Sequence, residues 1–454
     1  MPPMNPQQPQ ATPLYGWYVV TVLTLAYIVS FIDRQILSLL IEPIRQDLGL
    51  SDFEMAWIGP PAFASCFLIF GLFFGHLADR QSRTRLLAPG LTIWCLMTAA
   101  CAFADSGLEM FLARLGVGLG EAVLTPCALS MISDLFPRDR IGKPIAVYSM
   151  GVSLGSSAAL ILGSALIVWL ESAGHEPFAA LGISDTWRET YLLVGLPGLL
   201  LLPLLLTMRE PARRERLVRG APVTLADTWR FIGQKRRVYV PLFIGKAVFN
   251  VIANAHFWIV PMFERTWGWS RPKAGTLWGA TLLASGLTGV MLGGWISDRC
   301  YRAGRRDGAM LTVWIALIVT LPMHAIAPLM PSGELALLMF VPVLVAIGAG
   351  SAAGSTATIL VTPNEYRGQM TALSLLVAGG LGQFVGPTSV AALTDFAFED
   401  PKALRYSLSA VVLVFSLIAL AVLTWGLRHY RASLDDLERA LAADAERLDP
   451  RRPL

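Results

Sequence analysis

Five ionisable side chains stand inside otherwise apolar stretches: Asp33, Arg34, Arg114, Glu121 and Lys246. An ionised group surrounded by hydrocarbon costs about 2.5–3.5 kcal/mol even on lenient insertion scales, so it needs a partner or a wet cavity. The first four sum to zero charge if all are ionised. Arg34 and Arg114 offer planar donor forks that suit a phosphate or carboxylate. Asp33 and Glu121 would compete with a bound anion for those arginines and can carry protons. Protonating an acid would release its arginine, which couples the two events. The alternative is a static charge network that ties two helices together.

Spacing limits how these groups meet. Arg114 and Glu121 are seven residues apart, on nearly one helix face but about 10 Å apart along the axis. Both can line one cavity without pairing directly. Asp33 and Arg34 are adjacent and point about 100° apart, so one faces the cavity while the other braces a neighbouring helix. Lys246, Asn250 and Asn254 fall four apart on one helical stripe. The two asparagines suit hydrogen bonds to a ligand or to water, or act as glue between helices. His256, His324 and Gln383 are single polar residues read as structural, with His256 the first to test for pH dependence. Phe63, Phe67, Tyr148, Phe249, Phe257 and Trp258 suit the flanks of an apolar chain, although such residues more often face lipid or core.

The elements that carry these groups are membrane spans. The 454-residue chain is 54% hydrophobic and only 15% charged, with a mean hydropathy of +0.56. Soluble domains carry about 25% charged residues. The composition excludes an ordinary soluble enzyme, a nucleic-acid binder and a secreted domain. About twelve apolar runs reach the roughly 20 residues that a spanning helix needs. They centre near Leu25, Phe67, Trp94, Leu119, Ala158, Leu199, Val251, Ser285, Ile315, Val345, Val377 and Val414. They are too long and continuous for the strands of a membrane barrel. The five cysteines form no C-x-x-C pair, so neither a disulfide framework nor a metal site is expected.

About 26 of the 36 lysines and arginines fall on one side of this topology, about seven on the other. That bias places both termini in the cytoplasm. The expected layout is a disordered segment 1–15, a six-helix bundle 16–208, a basic linker 209–238, a second six-helix bundle 239–428 and a cytoplasmic tail 429–454. The linker, with Arg213, Arg214, Arg216, Arg219, Arg230, Lys235, Arg236 and Arg237, suits anionic headgroups.

The two halves repeat a motif. Gly75-His-Leu-Ala-Asp79-Arg80 leads to Arg83, and Gly294-Trp-Ile-Ser-Asp298-Arg299 leads to Arg302, at one constant offset. Each copy ends the second span of its half. Asp79, Arg80, Arg83, Asp298, Arg299 and Arg302 are read as an inner latch that pairs with charges or helix N-termini of the other half.

These residues resemble the major facilitator superfamily, whose loop signature is G-x-x-x-D-R-x-x-R. Arg114-Leu-Gly-Val-Gly-Leu-Gly-Glu121 resembles its fourth span, and Gly151, Gly155 and Gly163 resemble its closely packed fifth. Phe31-Ile-Asp33-Arg34, Gly118-Leu-Gly120-Glu121-Ala122 and Ile132-Ser-Asp134-Leu-Phe136 extend the resemblance to the Spinster branch over roughly the first 165 residues. The resemblance implies an all-α fold of two pseudo-symmetric six-helix bundles and alternating access to a central cavity. It also implies an amphipathic anionic cargo of sphingosine-phosphate or lysophospholipid type. No P-loop is present, so the expected energy source is a gradient, first of protons, with no cofactor. The expected partners are membrane lipids and an amphipathic small molecule, not nucleic acid. The chain is expected to be a monomer and no enzyme. The alternatives are a carrier of a small organic anion, sugar or drug, and a non-transporting receptor or scramblase.

Overall fold

A computed structural model describes residues 13–137, 140–173, 178, 183, 185–213, 225–363 and 365–447. The regular elements among the described residues are all helices, without a strand. Residues 1–12, Arg214, Arg216 and Arg219 of the basic linker, and 448–454 lie outside them.

Among the described residues, twelve helical segments are long and apolar enough to cross a membrane. Spans 1 to 6 are Leu14–Asp47, Asp52–Ala78, Arg83–Phe103, Gly107–Leu135, Gly142–Ala173 and Thr186–Thr207. Spans 7 to 12 are Arg236–Trp267, Arg271–Arg302, Gly308–Leu329, Gly333–Val361, Arg367–Phe398 and Pro401–Asp436. Their starts follow ordinary capping rules. Ser106, Ser270 and Ser332 each accept the backbone N–H three residues on.

The chain divides into two units, residues 1–50 with 58–219 and residues 51–57 with 220–454. In the first, span 1 packs on span 5, span 2 on span 4, and span 3 on spans 4 and 6. In the second, span 7 packs on span 11, span 8 on span 10, and span 9 on spans 10 and 12. Adding six to each number turns one pattern into the other, which is the repeat written in packing.

Two features depart from the expected boundaries. Ser51–Trp57, at the start of span 2, groups with the second unit. In this segment, whose residues from Asp52 onward form the first turns of span 2, Asp52, 1% exposed, accepts two bonds from the Arg265 guanidinium, at 2.5 and 2.7 Å. The Phe53 N–H donates to Asp395 at 2.7 Å. The last helix runs Leu404–Arg447, well past residue 428. Its continuation is packed rather than free: Tyr430 is buried and donates to the Ala357 carbonyl at 3.0 Å, and Arg431 donates to Asp307 at 2.7 Å.

Small residues set the closest helix approaches. A Cβ on Gly155 would stand 2.6 Å from the Ile28 carbonyl and from Phe31 Cβ, both on span 1. Gly151 and Gly163 face Tyr27 and Ile36 of the same helix.

Candidate functional site

The charged residues of the first unit sit where helices break. Span 1 is regular from Pro13 to Gln35, is interrupted at Ile36, and resumes at Leu37. Span 4 is interrupted at Ala122–Val123, directly after Glu121. Pro126 supplies a cause for the second break, because it has no N–H to offer the Ala122 carbonyl. Two glycines just before Glu121 bring its helix against its neighbours. A Cβ on Gly118 would collide with the Phe63 carbonyl of span 2, and one on Gly120 would stand 2.6 Å from the Trp94 nitrogen of span 3.

Glu121 is fully buried, while Arg34 keeps 19% of its side chain exposed. Arg34 donates through Nε at 2.6 Å and reaches the same carboxylate with its terminal nitrogen at 2.5 Å. Ser30, one turn before Arg34, also donates to Glu121 at 2.6 Å. All three donors share Oε2, and Oε1 accepts no hydrogen bond among the described residues. Among the described residues, all protein donors to the carboxylate therefore converge on one oxygen.

Asp33 points the other way, as adjacent helical residues must. It is buried and accepts the Thr98 hydroxyl of span 3 at 3.3 Å. Arg114, 2% exposed, donates to the Asp33 backbone carbonyl at 3.1 Å. So Arg34 is the arginine with accessible surface, and Arg114 lies behind it. Ser30 and Thr98 were not singled out from the sequence. The signal for Ser30 was its i, i+4 spacing to Arg34.

The second unit holds a sparser polar set. Lys246, 6% exposed, donates to Ser374 of span 11 at 3.1 Å. The Asn250 amide donates to the Lys246 carbonyl at 3.1 Å, and Asn254 to the Asn250 carbonyl at 2.9 Å. Each asparagine turns its amide N–H onto the carbonyl one turn earlier on its own helix. Asn250 packs against Gly382 and Asn254 against Gly386 on span 11. His256 and His324 meet ring to ring at 4.9 Å, flanked by Trp278 and Phe340.

The doubled motif behaves differently in its two copies. Asp79, Arg80, Asp298, Arg299 and Arg302 are exposed. Arg83 is not: at 1% exposure it bonds Glu210 at 2.6 Å, Asp134 at 2.5 Å, Ser130 at 2.8 Å and the Pro211 carbonyl at 2.9 Å. It ties together span 3, span 4 and the chain just past span 6, all within the first unit. Arg213 closes the neighbouring helix end, donating to the Ala78 and Gln81 carbonyls at 2.7 and 2.8 Å. Partial burial alone would raise the Glu210 carboxyl. Hydrogen bonds from the Thr84 N–H, Arg83 and Ser82 outweigh it and hold the group below its ordinary value.

No group of three or more potential metal-ligating side chains occurs among the described residues. The five cysteines are all free thiols.

Comparison with known proteins places this arrangement. The sequence profile of the Major Facilitator Superfamily matches residues 23–387. An MFS-type efflux pump of Mycolicibacterium smegmatis is 28% identical, over 94% of this chain and 96% of that protein. The hexuronate transporter of Bacillus subtilis is 24% identical, over 67% of this chain and 69% of its own length. A crystal structure of a bacterial homolog of the human lysosomal transporter Spinster, inward-facing and unoccupied, superposes with a TM-score of 0.80. It is 27% identical, over 93% of this chain and 99% of that one. With twelve spans, a repeated six-span packing pattern and a family profile over most of its length, this chain belongs to the Major Facilitator Superfamily, and Spinster proteins are among its relatives.

Proposed function

We propose that the protein is a proton-coupled secondary transporter for an amphipathic anion of the lysophospholipid or sphingosine-phosphate type, working by alternating access in a cytoplasmic membrane with both termini inside. One observation supports the reading: a partly exposed arginine is paired to a wholly buried carboxylate, one oxygen of which takes no protein donor among the described residues. In that geometry a proton arriving at Glu121 Oε1 neutralises the acid without displacing any donor from Oε2. The attraction lost is of the order of 4 kcal/mol for unit charges about 4 Å apart at an effective dielectric near 20. An anionic headgroup then replaces Glu121 as the partner of Arg34, through the bidentate geometry guanidinium favours. Arg114 and Asp33 brace span 1 against spans 3 and 4. Lys246, Asn250 and Asn254 provide polar contacts in the second half, and the exposed motif charges serve as the inner latch.

A second reading is favoured by the relatives: a sugar-acid carrier, for which the same arginine would hold a carboxylate. Counterflow in proteoliposomes separates the two. Uptake of labelled lysophospholipids or sphingoid phosphates, stimulated by a pH gradient, supports the first reading. Uptake of hexuronates alone supports the second. No counterflow with either class, in folded protein, points to a receptor or scramblase.

A further inference from the structure

Glu121 is not the only group holding Arg34. The guanidinium carbon stands 4.7 Å from the ring centre of Phe31, 4.3 Å from Phe63 and 4.8 Å from Phe67. Phe31 lies three residues earlier on span 1, one turn away. Phe63 and Phe67 are four apart on span 2 and stack on each other at 5.1 Å and 27°. The row continues: Phe31 meets Tyr27 edge-on at 5.1 Å, and Tyr27 stacks on Tyr148 of span 5 at 4.5 Å and 9°. Phe63 is fixed by burial, at 2% exposure. Its backbone is pressed by Gly118, three residues before Glu121.

An ion pair and an aromatic box respond differently to a proton. Neutralising Glu121 removes most of the first. Ring faces attract a cation whatever the state of a nearby carboxylate, and more strongly where water is scarce. A guanidinium is planar and stacks on such faces, whereas an ammonium is a compact, strongly hydrated point charge. We propose that Phe31, Phe63 and Phe67 are positioning residues that keep the Arg34 guanidinium in place while Glu121 is neutral, so that an incoming anion meets a fixed fork. The box also makes arginine, rather than any cation, the required residue at position 34. The hand-over to an anion rests on the transport reading above; the positioning itself does not.

Two measurements on the full-length purified protein separate these parts. The first is nuclear magnetic resonance of the arginine Nε–H groups after selective arginine labelling, with Glu121→Gln standing in for the protonated acid. The Arg34 signal in Glu121→Gln is expected to stay ring-shifted. Adding Phe63→Leu and Phe67→Leu is expected to move it toward the ordinary arginine position, leaving only the shift due to Phe31. A signal already at the ordinary position in Glu121→Gln, or one that the leucines do not move, overturns the proposal.

The second is counterflow of labelled lysophosphatidylglycerol. Phe63→Leu and Phe67→Leu are each expected to raise KM about tenfold with kcat within about twofold. Phe63→Tyr is expected to restore KM, and Arg34→Lys not to support transport. Loss of kcat with unchanged KM, or no rescue by tyrosine, overturns the positioning role in favour of simple packing. If the unmodified protein moves no lysophosphatidylglycerol while the Arg34 signal behaves as expected, the substrate reading fails and the positioning stands.

Discussion

Removing Arg34 should hurt far more than removing the acid it pairs with. Glu121 has no exposed surface, and its charge is offset by Arg34 and one hydroxyl. Arg34→Met takes away two donors and leaves a buried carboxylate with Ser30 alone. Breaking a buried pair by deleting one partner typically costs about 3–5 kcal/mol. Glu121→Gln is milder. The amide oxygen still accepts from Arg34 and Ser30, the Arg34 side chain keeps about one-fifth of its surface exposed, and the guanidinium keeps three ring faces. Its cost should be about 1–2 kcal/mol, the scale of exchanging a charged for a neutral hydrogen bond. The double variant Arg34→Met with Glu121→Gln removes the orphaned charge and should recover about 2 kcal/mol or more relative to Arg34→Met alone. Thermal unfolding of the four proteins in one detergent, followed by tryptophan fluorescence, gives the ranking. Equal losses for the two single variants, or a double variant no better than Arg34→Met, would show that Glu121 does not depend on Arg34 and refute the reasoning.

Three further outcomes follow from other contacts. The lowered Glu210 carboxyl contributes stability above its ordinary value of 4.5, and this contribution is lost as pH falls through the lowered value; Glu210→Gln should flatten the fall in melting temperature in that acid range. Arg265→Met leaves Asp52 buried without its bidentate partner and should cost about 3–5 kcal/mol, largely recovered by adding Asp52→Asn, as read by the same unfolding assay. Gly118→Ala puts a methyl group against the Phe63 carbonyl. It should cost about 1–3 kcal/mol by overpacking and depress transport by moving Glu121, whereas Gly75→Ala, with open space at its Cβ position, should leave the melting temperature unchanged.

The spans were legible because hydrocarbon demands long apolar runs, and the repeat was legible because its charges recur at one offset. The divergence of Asp33 and Arg34 followed from helix geometry alone, and so did the separation of Arg114 from Glu121. Partners distant in sequence were not legible. Arg83 looks like its counterpart Arg302 in the sequence, yet it is buried on Glu210, 127 residues away, while Arg302 is exposed. Nothing local announces that choice. Ser51–Trp57 falls within the first bundle, 16–208, as the sequence divides it, and only its tertiary contacts through Asp52 and Phe53 assign it to the second unit. The stripe Lys246, Asn250 and Asn254 was visible, but spacing could not tell that both amides bond back onto their own helix. The box around Arg34 was half visible: Phe63 and Phe67 stood out as aromatics, but their convergence with Phe31 on one guanidinium needed the packing of span 2 against spans 1 and 4.

The exchange of Glu121 for an anion on Arg34 makes proton and cargo binding one event, and calorimetry counts it directly. Lysophosphatidylglycerol titrated into the purified protein, in buffers of differing ionisation enthalpy, reports protons taken up per anion bound. A positive uptake approaching one proton, abolished in Glu121→Gln while binding persists, is the predicted result. Zero uptake, proton release, or the same uptake in Glu121→Gln would contradict it.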